Sequence, residues 1–409
     1  MQTVGYVSLL AASLAAASLF SQSAPRLPQP ASESAMPAQA VWQMQESGAT
    51  AGLRSIDSVD GTVAWASGTG GTVLRTTDGG AHWARCATPD ADKDGATLDF
   101  RGVQAWDAAT AIVLSSGQGH KSRLYKTEDG CRTWKFLFAN PEKDGFYDAL
   151  LFLDRQYGIV LGDPADGDSR SGIVDGRPNA FRMRITSEWG EDWVRVIDPQ
   201  GNEPGINLLA YPGESAFAAS NTCMTVRDGW LWFGTSGSRV LRRPVSYRDF
   251  RSSGIFGRPD PFSVLGSAPI PWVPWQSAVA PVGDGRPSAG IFSLAFRDAQ
   301  WGMAVGGDYT RPNDSTGTAA WTNDGGSHWT TAAKPPHGYR SAVEWSSSLN
   351  AWITVGTNGS DISRDDGRTW QPLDNGNWNA LSLPFVVGPQ GRIARLNQAA
   401  ILLSSPQPH

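Results

Sequence analysis

Cysteine is scarce in this sequence. Cys86, Cys131 and Cys223 are the whole complement. That excludes a disulfide-dense scaffold, and without a Cys-x-x-Cys pair or a His-rich cluster the pattern offers no metal site. An odd count leaves at least one thiol unpaired. Cys86 and Cys131 fall in neighbouring repeats, so they are either one disulfide or two small buried thiols. Charge is also thin, at 18% of the 409 residues with a net of -5. The basic excess of a nucleic-acid binder is missing. Beyond residue 23 no run approaches the ~20 apolar residues that span a bilayer.

Glycine is abundant at 46 residues and tryptophan at 18, and 40% of the chain is apolar. Many aromatics with Gly-rich turns fit short strands better than long helices. Residues 1–23 read as a signal peptide. An Ala- and Leu-rich run ends in small residues Ser21 and Ser23, although no Lys or Arg precedes it. Residues 24–40 are rich in Pro, Ala and Ser and read as a disordered linker.

An eight-residue pattern occurs five times, as TTDGGAHW, TEDGCRTW, TSEWGEDW, TNDGGSHW and SRDDGRTW. Each opens with Ser or Thr, carries an acid two residues on and closes with Trp seven residues on. The opening residues stand at 76, 127, 186, 322 and 363. Spacings of this size with short strands indicate a propeller or a solenoid. Two apolar runs separated by Gly precede each octapeptide, another strand-like run lies upstream, and a short run follows. That is the four-strand content of a propeller blade. Counting gives an all-β, seven-bladed β-propeller over residues 41–398, with an insertion at about 251–281 in the fourth blade and a tail at 399–409. VWQMQ at 41–45 is expected to complete the seventh blade and so remove open sheet edges.

The octapeptides are expected to be structural. Gly79, Gly80, Gly130 and Gly367 permit tight-turn angles. The acids Asp78, Asp129, Glu188, Asp324 and Asp365 accept backbone N–H groups. The closing Trp83, Trp134, Trp193, Trp329 and Trp370 bury rings against their own or the adjacent blade. Such T-x-D-G-G-x-x-W repeats resemble the Asp boxes (BNR repeats) of the sialidase-like superfamily. Runs such as AWASGTGGTVLRTTDGG, AFAASNTC and GIFSLAFRD resemble its photosystem II stability/assembly factor-like branch, which has many non-photosynthetic bacterial members. The resemblance implies an exported, periplasmic or extracellular, non-enzymatic binding or assembly propeller.

Function is expected on the face opposite the octapeptides. With the first strands aligned on Ile56, Val103, Leu150, Leu294 and Leu381, the residues two before them are Arg54, Arg101, Asp148, Phe292 and Asn379. A looser alignment adds Arg340. The loops after second strands add Asp163, Asp308 and Asn358. The arginines form a cationic arc suited to carboxylates, phosphates or an acidic protein segment. The competing expectation is structural ion pairing of each Arg with a neighbouring blade. An alternative function, a sialidase-like glycoside hydrolase or glycan binder, would draw on Tyr309 or Tyr339 with Asp148 or Asp163. It lacks the Arg-Ile-Pro motif of such enzymes and an evident Glu beside either Tyr. No cofactor is expected. GTGGTV is not a dinucleotide fingerprint, and DADKDG has Arg101 where a calcium loop needs Glu.

Overall fold

Alternating apolar positions bounded by glycine-rich turns form seven four-stranded antiparallel sheets arranged as blades. The computed structural model describes residues 40–165, 180–196, 208–245 and 274–403. The signal-peptide and linker readings lie outside these residues, as does most of the expected insertion. Blades I to VII comprise residues 53–85, 100–139, 147–195, 224–279, 289–331, 342–374 and 380–396. Within each, the first strand is innermost. The apolar cores lie between neighbouring blades: Trp65 and Val73 of blade I, for example, pack with Phe100, Val103 and Tyr125 of blade II.

The strand β1, Trp42–Gln45, pairs antiparallel with Ile393–Leu396 and becomes the outer strand of blade VII. Closure therefore joins the two ends of the described chain in one sheet, as the sequence led us to expect. Trp42 is 5% exposed and its indole N–H donates to Ser360 Oγ at 2.9 Å. Burying that ring is worth roughly 2–3 kcal/mol. The expected tail begins as a short helix, Gln398–Leu403, with Ile401 buried against blades VI and VII.

The octapeptides join third to fourth strands, as expected. In the first, Thr76 Oγ1 donates to Asp78 Oδ1 at 2.9 Å and accepts from Gly80 N at 2.9 Å, while His82 N donates to Asp78 Oδ1 at 2.9 Å. The second, fourth and fifth repeat this pattern around Asp129, Asp324 and Asp365. The backbone amides and Thr133 hold the Asp129 carboxyl at about 2. Each turn carries two consecutive residues with positive φ. The third turn departs from the rest. Glu188 makes no side-chain bond within it, and the left-handed position is filled by Trp189 at φ 60. Two closing tryptophans, Trp193 and Trp370, are buried; the other three are half-buried. Trp83 reaches the neighbouring blade, donating to Gln45 of β1 at 3.0 Å.

Polar side chains of the innermost strands stitch the ring at every joint. Ala105 N donates to Asp57 (2.6 Å), Phe152 N to Gln104 (2.7 Å) and Leu150 N to Asn221 (2.8 Å). Thr222 Oγ1 donates to Ser293 Oγ (2.8 Å), which accepts Val343 N (3.0 Å). Leu383 N donates to Glu344 (2.8 Å) and Ser58 N to Ser382 (3.0 Å), which returns the ring to blade I. These bonds satisfy inner-strand amides that have no sheet partner on that side.

Candidate functional site

The innermost strands of blades I, II, III and V share a local irregularity. Their register with the second strand shifts between Leu53 and Ser55, Phe100 and Gly102, Tyr147 and Ala149, and Ile291 and Ser293. The residue skipped in each case is Arg54, Arg101, Asp148 or Phe292. A bulge of this type frees a side chain from the ladder and re-aims it. All four line a central cavity of about 530 Å³, and so does Asn379 from blade VII. The cavity lies opposite the octapeptides, where the sequence placed function. Its size falls within the range of ligand sites.

The cavity is charged toward blades I to III, where Phe146 is the one aromatic of its described lining, and aromatic toward blades IV to VI. Blades I to III contribute Arg54, Arg101, Asp148 and Asp163. Blades IV to VI contribute Phe217, Phe292, Tyr309 and Tyr339. Phe217 and Phe292 stack with centroids 3.7 Å apart, and Tyr339 meets Phe292 edge-on at 4.8 Å. Tyr309 leaves about half of its surface in water.

The arginines are tethered but not consumed. Arg101 Nε donates to Asp99 Oδ2 at 2.8 Å, and Arg101 Nη1 donates to Ala218 O at 3.2 Å. Arg54 Nε stands 3.6 Å from the other oxygen of Asp99 and makes no hydrogen bond. The two arginine side chains keep 35% and 31% of their surface exposed. One carboxylate thus spaces two guanidinium groups, leaving net positive charge at the rim.

Asp148 and Asp163 form a coupled carboxyl pair at the junction with blade IV. Burial drives the Asp148 carboxyl well above the usual range, and the Asp163 charge adds to the rise while Arg101 opposes it. Burial lifts Asp163 to about 6, against a backbone hydrogen bond from Ala216 N (2.9 Å). Two carboxyls in contact cannot both ionise cheaply, so the pair shares a proton. Asp148 Oδ2 is buried without a partner.

Three expected site residues, Arg340, Asn358 and Asp308, lie elsewhere. Arg340 is fully buried within blade VI. Its Nε donates to Asp361 Oδ2 at 2.7 Å, and its Nη1 donates to Tyr339 O and Asn358 Oδ1 at 2.6 and 2.5 Å. Ser341 takes the place on the cavity wall, one position later than the looser alignment set it. Asp308 is also absent from this cavity. It accepts from Thr310 N (2.9 Å) and Arg311 Nε (3.0 Å) beside a separate space of about 140 Å³. Its carboxyl is held low: those bonds and Thr310 Oγ1 outweigh the opposing effect of burial. Asn379 lines the cavity but commits its amide to Leu53 O at 2.7 Å.

Sequence reasoning missed Phe217 and Asp99. Asp99 stands two residues before Arg101, hence on the same side of the strand, and that spacing could have flagged it. Tyr309, Tyr339, Asp148 and Asp163 share the cavity, but no Glu among its described lining residues joins a Tyr. Two of the three acids of DADKDG are engaged structurally, with Arg123 donating to Asp94 at 2.7 Å and Tyr125 to Asp90 at 2.7 Å.

No protein-family model and no curated protein matches the chain. Solved structures do. YCF48 from Cyanidioschyzon merolae shares 16% identity at a TM-score of 0.55, covering 88% of this chain and 100% of that one. A structure described as YCF48 bound to D1 peptide shares 14% identity at 0.54, covering 88% and 97%. At these identities the likeness is one of fold, and the fold this chain shares with them is the propeller.

Proposed function

We propose that this chain is a non-enzymatic binding and assembly propeller acting outside the cytoplasm. We place it among the Asp-box proteins of the sialidase-like superfamily, in the assembly factor-like branch. The cavity opposite the repeat turns takes a segment of a protein partner. The observation that carries this reading is the pair Arg54 and Arg101, which bulges aim into an aromatic-walled cavity with donors to spare. Guanidinium groups spaced by one carboxylate suit an anionic group. A neighbour of like fold is described as holding a peptide, which supports a peptide-sized occupant. The Cys86–Cys131 disulfide supports an oxidising compartment.

The test is a comparative pull-down with the chain from Ala24 and its Arg54→Ala/Arg101→Ala variant, after their thermal melts are shown to match. A protein captured by the first and lost by the second supports the reading and names the partner. Identical capture by both sinks it.

A further inference from the structure

Three buried polar atoms at the charged half of the cavity make no hydrogen bond: Arg54 Nε, Asp99 Oδ1 and Asp148 Oδ2. Arg54 Nε is a donor that reaches Asp99 Oδ1 only at 3.6 Å, beyond hydrogen-bond length. Asp148 Oδ2 is an unused acceptor on a side chain only 1% exposed. A buried polar atom without a hydrogen bond costs free energy, so Arg54 Nε and Asp148 Oδ2 both gain from a partner closer than the folded chain supplies. Arg101 stands close enough to Asp148 to influence it, yet it does not close the gap. Its Nε is fixed on Asp99 and its Nη1 on Ala218 O. Asp163 meets Asp148 by sharing a proton, and once both carboxyls ionise it brings like charge to the same spot.

We infer that the segment entering the cavity is zwitterionic, carrying a Lys or Arg side chain beside its acidic group. The cation sits on Asp148 and Asp163 and the anion on Arg54 and Arg101. This rests on the peptide-binding reading above and adds to it the sign of the second charge. A cation is favoured over a neutral donor because it allows both carboxyls of the pair to ionise, as a neutral donor does not. The geometry also sets the order around the ring. The anion site spans blades I and II, the cation site lies on blade III, and apolar residues of the segment face blades IV to VI.

The probe is a randomised library of end-blocked heptapeptides, offered to the immobilised chain and sequenced after washing. The expected result is joint enrichment of an acid and of Lys or Arg within the same peptides. With Asp148→Asn or Asp163→Asn, enrichment of the basic residue should fall by about tenfold while that of the acid persists; such a drop matches one charge-assisted contact. With Arg54→Ala/Arg101→Ala, the acid preference should fall instead. Acid enrichment alone on the unmodified chain overturns the inference and leaves the peptide-binding reading standing. Enrichment of neither charge overturns both. The selection on the unmodified chain decides the matter even if a variant fails to fold.

Discussion

Arg340 and Asp361 form a buried ion pair inside blade VI, with Arg340 Nε donating to Asp361 Oδ2 at 2.7 Å and both side chains almost free of solvent. His337 Nδ1 adds a contact to the same carboxylate at 2.8 Å. The pair locks a blade and does not line the cavity. Removing one partner strands a buried charge, so Arg340→Ala should cost about 3–5 kcal/mol. Arg54→Ala removes a part-exposed group with one loose ion pair and should cost under about 1 kcal/mol. Urea unfolding of both variants checks this. Equal losses would mean that Arg340 belongs with the functional group after all.

Cys86 follows the outer strand of blade I, and Cys131 lies inside the second octapeptide; they are disulfide-bonded across 45 residues. The bridge fastens one blade to the turn of the next. Its reduction, or the Cys86→Ser/Cys131→Ser change, should lower stability by about 2–4 kcal/mol. Thermal melts with and without reductant read the effect. Cys223 is fully buried, and burial pushes its thiol far up, so the native protein should resist thiol labelling under either condition.

Trp189 keeps a left-handed backbone at a position that the other four turns give to Gly79, Gly130, Gly325 and Asp366, yet it remains 45% exposed. A bulky residue there carries strain of about 1–2 kcal/mol. Trp189→Gly should therefore stabilise the fold by roughly 0.5–1 kcal/mol. Trp189→Ala keeps the strain and should not. A destabilised Gly variant would show that the indole, despite its exposure, contributes more than its backbone costs.

Stability should decline as pH rises from acid to neutral. Burial lifts Asp57 and Asp163 to about 6 and Glu344 to about 7. A carboxyl raised on folding contributes stability that is complete below its unfolded value near 4 and is lost as pH rises through its folded value. Asp78 and Asp129, held at about 2 by hydrogen bonds within their turns, act in the opposite sense and lose their contribution as pH falls below about 4. The melting temperature should thus be higher at pH 5 than at pH 8. Glu344→Gln keeps an acceptor for Leu383 N and should flatten the loss between pH 5 and 8. An unchanged slope would exclude Glu344 as its source.

Much of the site was readable because it obeys a period. Arg54, Arg101, Asp148, Phe292 and Asn379 share one offset from an apolar strand position, and all five line the cavity. Arg340 fell outside because the looser alignment was one residue early: Ser341 holds the wall position, and an offset of one residue turns a side chain to the other face of a strand. Asp308 misled for a related reason. A loop acid beyond a second strand can face the cavity or fold back on its own loop, and Arg311 and Thr310 drew it back.

The sequence by itself determined the all-β blades, their number and the closing role of residues 41–45, because alternation, glycine turns and repeat spacing are local properties of the chain. The tertiary structure alone decided which charges remain available. Asp99 tethers both Arg54 and Arg101, Asp361 consumes Arg340, and Asp148 meets Asp163 across a turn. Apart from the Asp99–Arg101 contact, those outcomes depend on distances between residues on different strands and loops and on the loss of water around them. Neither is fixed until the ring has closed.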